Sequence, residues 1–186
     1  MNIREHLLFL RGFLRDPLRV GSILPSSPAL AETLVRCIPW AEIHSVAELG
    51  AGTGTITRLI DLHRADSSQV FLFERNKTMR TYLKERFPAF MFHSNASYLL
   101  KKLNDEGVSQ LDCILCGLPF FNFSDEMRER LLHQIVQALK PGGYFVAYRF
   151  SLQMKKHFAA RFTIERVEFV GRNFPPAYVY VCRKPY

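Results

Sequence analysis

Glu48 and the alternating glycines Gly50, Gly52 and Gly54, set in the run VAELGAGTGTITRLI, are residues able to hold a ligand against bare backbone. Glycine carries no Cβ and tolerates positive φ, so a turn of this composition permits close approach. Ala51 and Thr53 lie between the glycines and belong to the same surface. The apolar run before the turn reads as a buried strand. The residues after it read as a helix whose first N–H groups point back at whatever binds there. Glu74, with Arg75 beside it, ends a second strand-like run, QVFLFERN, 24 residues beyond Gly50. A carboxylate at that place in a nucleotide-binding sheet accepts from both ribose hydroxyls.

Other chemistries find less support. Cys113 and Cys116 form a CxxC, but inside the strand-like run LDCILCG, where residues three apart point to opposite faces and cannot readily share one metal. The six histidines show no ligand spacing such as HExxH. Four scattered cysteines do not make a disulfide scaffold, which favours a reducing, cytoplasmic setting. No apolar run approaches the roughly 18 to 20 residues of a spanning helix. With 186 residues and 48% hydrophobic content the chain is expected to form one domain over 1–186. Its net charge of +8 suggests an anionic partner, and charge alone does not separate nucleic acid from a membrane surface.

These side chains need a scaffold, and the pattern supplies one. Strand and helix signals alternate through five strands, with a final β-pair, which predicts an α/β fold: a doubly wound, mostly parallel sheet with an antiparallel edge. Helices are expected before the turn (Ser27 as cap, Pro28 at the first position), over Lys77 to Phe87, from about Ser124 to Leu139, and over Ser151 to Phe162. Residues 1–40 read as a helical extension. In its first stretch, Ile3, Leu7, Leu10 and Leu14 form an apolar stripe beside Arg4, Arg11 and Arg15, with Phe9 and Phe13 near the seam. Such a helix either lies in a membrane interface or packs on the domain body.

The acid, the GxGxG spacing and the strand context together resemble motif I of the class I S-adenosylmethionine methyltransferases, rather than the GxGxxG of dinucleotide folds. The resemblance implies a Rossmann-like sheet, S-adenosyl-L-methionine as cofactor and S-adenosyl-L-homocysteine as product. It places Gly50 to Gly54 against the methionine part of the cofactor, with Glu48 organising the loop, and Glu74 with Arg75 at the ribose. Asn95 and Ala96 stand where an aspartate often meets the adenine amine, and the Asn95 carbonyl remains able to accept there. Ser26 and Cys116 join this cofactor set, Ser26 through a turn that could cover the ligand. No metal is implied.

In open α/β sheets ligands bind beyond the carboxyl ends of the strands, so the acceptor should approach Gly117, Leu118, Pro119 and Phe120, with Tyr148 as a hydrogen-bonding candidate. Adenine-amine methyltransferases carry Asn or Asp where Gly117 stands, which removes the main polar handle for a base. NFPP at Asn173 looks like a decoy, because it follows the wrong strand. Three segments, FLRDPLRVGSILPSSPALAETL, CGLPFFNFS and GRNFPPAYVYVCRK, are similar to the bacterial phospholipid N-methyltransferases. That likeness implies methylation of phosphatidylethanolamine and its methylated forms at a membrane surface, with the first helix as the membrane contact. Cys116, Asn95 and the Tyr148-Arg149-Phe150 segment depart from the family pattern. Phe120, Phe121 and Phe174 could line a pocket for the methylated ammonium, or pack as core. An RNA adenine N-methyltransferase, and a cofactor-binding membrane protein without turnover, are the competing readings.

Overall fold

The run Ser45–Leu49 (β1) is buried at every position because it lies in the middle of a sheet covered on both faces. In the computed structural model, which describes residues 26–186, seven strands line up as β3-β2-β1-β4-β5-β7-β6. The others are Gln69–Phe73 (β2), Met91–His93 (β3), Leu111–Cys116 (β4), Leu139–Arg149 (β5), Thr163–Val170 (β6) and Ala177–Arg183 (β7). The first five pair in parallel, whereas β7 runs antiparallel to both β5 and β6. The expected doubly wound sheet with an antiparallel C-terminal pair is therefore present. The basic amphipathic stretch over residues 2–15 lies outside the described residues.

Side-chain alternation divides the core into two layers. Val46, Cys113 and Leu115 face Pro28–Arg36 (α1), Thr55–His63 (α2) and Lys77–Arg86 (α3), contributing to a cluster with Leu30, Leu34, Ile60 and Leu83. Ala47, Ile114 and Cys116 face Leu99–Asp105 (α4), Asp125–Ala138 (α5) and Lys155–Ala159 (α6), with Leu103, Leu132, Ile135 and Phe158. Cys113 and Cys116 thus sit on opposite faces, as period-two geometry requires. Caps set the helix starts: Ser27 Oγ accepts from Leu30 N (3.1 Å), Asn76 Oδ1 from Met79 N (3.1 Å) and Ser124 Oγ from Met127 N (3.3 Å).

One helix is shorter than expected. Residues 151–154 form bends and turns, and α6 covers only Lys155–Ala159. The Ser151 carbonyl accepts instead from the Tyr180 hydroxyl on β7 (3.5 Å), while Phe158 is fully buried among Phe145, Tyr180 and Phe120. Tertiary contacts on both sides leave room for little more than one helical turn.

The NFPP segment has a structural task. Asn173, 7% exposed in the turn between β6 and β7, accepts from the Ser27 N–H (3.0 Å) and donates to the Pro175 carbonyl (2.7 Å). It ties the start of α1 to the C-terminal hairpin. Asn173→Ala leaves those groups unpaired and is expected to lower stability by about 1–3 kcal/mol in urea titrations; an unchanged midpoint would remove Asn173 from this role.

Candidate functional site

The carboxyl ends of the parallel strands are laced together one residue beyond the sheet. Gly50 N donates to Phe73 O (2.8 Å), Glu74 N to His93 O (3.0 Å) and Gly117 N to Leu49 O (2.9 Å). These bonds bring the ends of β1, β2, β3 and β4 into one rim. On it the glycine turn holds Gly50, Gly52 and Gly54 at φ of 84°, 54° and 85°. Gly54 faces inward: a Cβ there would come within 2.5 Å of Leu83 Cδ2. Gly52 faces outward, with nothing within 4 Å of a Cβ position. The turn is fixed beneath and open above, the arrangement needed to present backbone to a ligand.

Two carboxylates support it. Glu74 Oε2 accepts from Gly52 N (2.8 Å) and Oε1 from Asn76 N (2.7 Å), joining the turn to the cap of α3. Burial pushes its carboxyl above the usual range, opposed by those N–H groups and by Arg80. Arg80, which the sequence reading missed, donates to the Glu74 carbonyl (2.7 Å) and that of Arg75 (3.3 Å), while Arg75 itself is exposed. Glu48 Oε2 accepts from Thr57 Oγ1 (2.6 Å), and Oε1 is buried without a partner. Burial, with the negative charge of Glu74 nearby, pushes the Glu48 carboxyl up to about 8 against the opposing Thr57 bond.

The remaining cofactor candidates divide. Ala51 is buried in the turn, and Thr53 and Thr55 approach through their hydroxyls (3.4 Å). Asn95 is exposed just beyond β3, and its side-chain carbonyl accepts from Ser97 N (2.9 Å) as the cap of the following 3-10 turn. Ala96 is buried at the start of the 3-10 turn that follows. Ser26 is half-buried just before the cap of α1. Cys116 departs from its expected place: its thiol is buried in the core toward Arg149 rather than presented to the turn. Burial raises its pKa, so it is a core thiol.

Beyond the end of β4 lies a cavity of about 490 Å³. Gly117, Leu118, Pro119, Phe120 and Tyr148, all expected at the acceptor, line it. So do Asn122, Arg128, Arg149, Phe150, Ser151, Gln153, Met154 and His157, which the sequence reading did not assign. Gly117 joins cavity to turn: a Cβ there would lie 3.2 Å from Gly50 O and 3.5 Å from Tyr148 Cε1. Phe120 and Phe174, either of which could line an ammonium pocket or pack as core, do not meet at the cavity. The Phe120 ring is fully buried with the Arg149 guanidinium 4.4 Å from its centroid, and Phe174 is 78% exposed in the β6–β7 turn, outside the cavity lining. The Phe121 side chain lies outside the described residues. No group of three or more His, Cys, Asp or Glu among the described residues is placed to hold a metal.

A GxGxG turn after the first strand, an acid after the second and a cavity after the fourth, on a sheet whose seventh strand runs backwards, define a class I S-adenosylmethionine-dependent methyltransferase. The chain belongs to the methyltransferase-domain family, whose profile matches residues 46–143. It is 34% identical over 187 residues to an ornithine lipid N-methyltransferase of Singulisphaera acidiphila, with 97% of each chain covered. Among solved structures its fold is similar to the N-methyltransferase NodS of Bradyrhizobium japonicum in complex with S-adenosylhomocysteine (TM-score 0.70, 12% identity, 84% of this chain and 86% of that one). It is also similar to the 1,6-didemethyltoxoflavin N1-methyltransferase of Burkholderia thailandensis (TM-score 0.68, 17% identity, 100% and 92%).

The residues present fit the cofactor. An open glycine turn, a buried carboxyl oxygen without a partner and a carboxylate at the second strand end suit a ligand carrying cationic and hydroxyl groups. When bound, S-adenosylmethionine supplies a methyl group already activated on sulfonium. What remains for the protein is to hold a neutral nucleophile in line and exclude water. Gly117, lying between turn and cavity, leaves that approach unobstructed by any side chain of its own.

Proposed function

We propose that this enzyme methylates the amine of a lipid headgroup at a membrane surface, with phosphatidylethanolamine and ornithine lipid as the two headgroups to compare. The end-to-end 34% identity with an ornithine lipid N-methyltransferase carries the reading. The site supports it. A base-reading Asn at position 117 would crowd its Cβ against Gly50 O, whereas glycine leaves room for a slender primary amine. Phe150 (43% exposed) and Leu152 (47%) project near the cavity beside exposed Lys155 and Lys156, a combination suited to an anionic bilayer interface. Among the described residues no helix is long and apolar enough to cross a membrane.

The experiment combines labelled cofactor with vesicles containing each lipid and, in parallel, with RNA. Label is expected in the lipid fraction. Label in RNA with inert lipid would replace this reading by base methylation, and cofactor binding without transfer to any acceptor would leave a binding protein.

A further inference from the structure

Two arginines line the acceptor cavity, and they are built differently. Arg128 donates to Asp125 Oδ1 (2.6 Å) and to the carbonyls of Phe120 (3.3 Å) and Phe123 (3.1 Å), so its charge is matched and its fork is occupied. Arg149 has no carboxylate partner among the described residues. It is 8% exposed, donates from Nη1 to the Tyr148 carbonyl, reaches Cys116 Sγ only at 4.0 Å, and keeps Nε buried with no partner. The rings of Phe120 (4.4 Å) and Phe158 (5.6 Å) offer it π faces but no net negative charge. Burial pulls its pKa below the usual guanidinium range, the direction expected of a cation without a counter-ion.

A guanidinium removed from water stays costly unless something anionic meets it, and its planar fork matches carboxylate and phosphate oxygens. An unmatched cation on the wall of a ligand cavity is therefore a receptor in waiting. We propose that Arg149 forms an anion subsite within the acceptor cavity, receiving the carboxylate or phosphate of a zwitterionic headgroup while the amine of the same headgroup reaches the Gly117 end. This deepens the lipid reading and rests on it for the identity of the substrate class. It makes Arg149 a specificity-determining residue: the enzyme selects an amine that carries its own anion. Strand β5 accounts for the placement. Tyr148 and Arg149 are neighbours on opposite faces, and where the strand ends both border the cavity.

Two measurements test this. Calorimetry on the enzyme loaded with S-adenosylhomocysteine compares Nα-acetylornithine with its methyl ester, which keeps the amine and loses the anion. The wild type is expected to bind the free acid about ten- to a hundredfold more tightly, the usual weight of a charge-assisted hydrogen-bonded pair. Arg149→Met should bring the two ligands together, and Arg149→Lys should restore part of the difference. Equal binding of acid and ester by the wild type overturns the subsite whatever the variants do, so a variant that fails to fold does not decide the matter. Transfer assays then compare ornithine lipid or phosphatidylethanolamine with octadecylamine in the same neutral vesicles. Arg149→Met should lower kcat/KM for the zwitterionic lipids by about ten- to a hundredfold while leaving octadecylamine within a few-fold; an equal loss on both would mark a merely structural residue. Failure of all transfer, with the acid–ester difference intact, would sink the lipid reaction and leave the anion subsite standing. Transfer to zwitterionic lipid and octadecylamine alike, without that difference, would do the reverse.

Discussion

Glu74→Gln is expected to weaken binding of S-adenosylhomocysteine by about ten- to a hundredfold, despite conserving the shape of the side chain. Each oxygen of Glu74 accepts one backbone N–H, from Gly52 at 2.8 Å and from Asn76 at 2.7 Å. An amide has one accepting oxygen, so its NH₂ group must face one of those N–H groups, and either the glycine turn or the cap of α3 is pushed away. Hydrogen bonds to charged groups contribute about 1.5–3 kcal/mol each, which sets the range. The same carboxylate oxygens keep lone pairs for ribose hydroxyls in the proposed binding mode, so the substitution acts on ligand and turn together. Calorimetric titration decides: an affinity within twofold of wild type would show that Glu74 neither shapes the turn nor meets the cofactor. Glu74→Ala, which abolishes both accepting oxygens, should lose more.

The second large effect is a pH dependence that Glu48→Gln should flatten. Glu48 has its carboxyl raised from 4.5 to about 8 by burial and by the charge of Glu74. Between those values the folded protein holds a proton that the unfolded chain has released. Its contribution to stability is therefore complete below pH 4.5 and is lost as pH rises toward about 8. Glu74, also shifted upward, adds in the same direction. A cofactor bearing cationic groups favours the ionised carboxylate, whose Oε1 has no partner within the protein. Cofactor affinity should accordingly rise with pH, by up to tenfold per unit, over the range below 8 in which the free enzyme keeps the proton. Glu48→Gln carries no titrating proton at this position and retains an acceptor for Thr57. Both profiles should flatten relative to wild type; superimposable profiles for the two proteins would exclude Glu48 as the titrating group.

Features governed by local chemistry were legible in the chain. The glycine turn and its flanking strand and helix follow from backbone freedom and apolar periodicity, and Ser27 and Pro28 from capping rules. The opposite orientation of Cys113 and Cys116 follows from strand geometry alone. The cavity wall was half legible: Gly117 to Phe120 were expected there because they continue a strand end, and Tyr148 was named only as a hydrogen-bonding candidate. Arg149, its immediate neighbour, was noted only as a departure from a family pattern. Among the described residues no carboxylate pairs with it, and no local rule reports a missing partner. The short α6 was missed for a related reason, since the bond between Tyr180 and the Ser151 carbonyl joins positions 29 residues apart. Phe120 kept its place but changed its work: its ring supports a cation of the protein's own.

The link between Asn173 and the Ser27 N–H spans 146 residues, and it bears on the order in which the molecule is made. During translation α1 leaves the ribosome long before the hairpin that completes its cap, and the charge pair of Arg36 with Glu168 on β6 must wait as well. The apolar side of α1, carrying Leu30, Leu34 and Val35, thus emerges with no permanent neighbour from the C-terminal strands. The capping of α1 is therefore complete only once the hairpin carrying NFPP has been made and has folded against it.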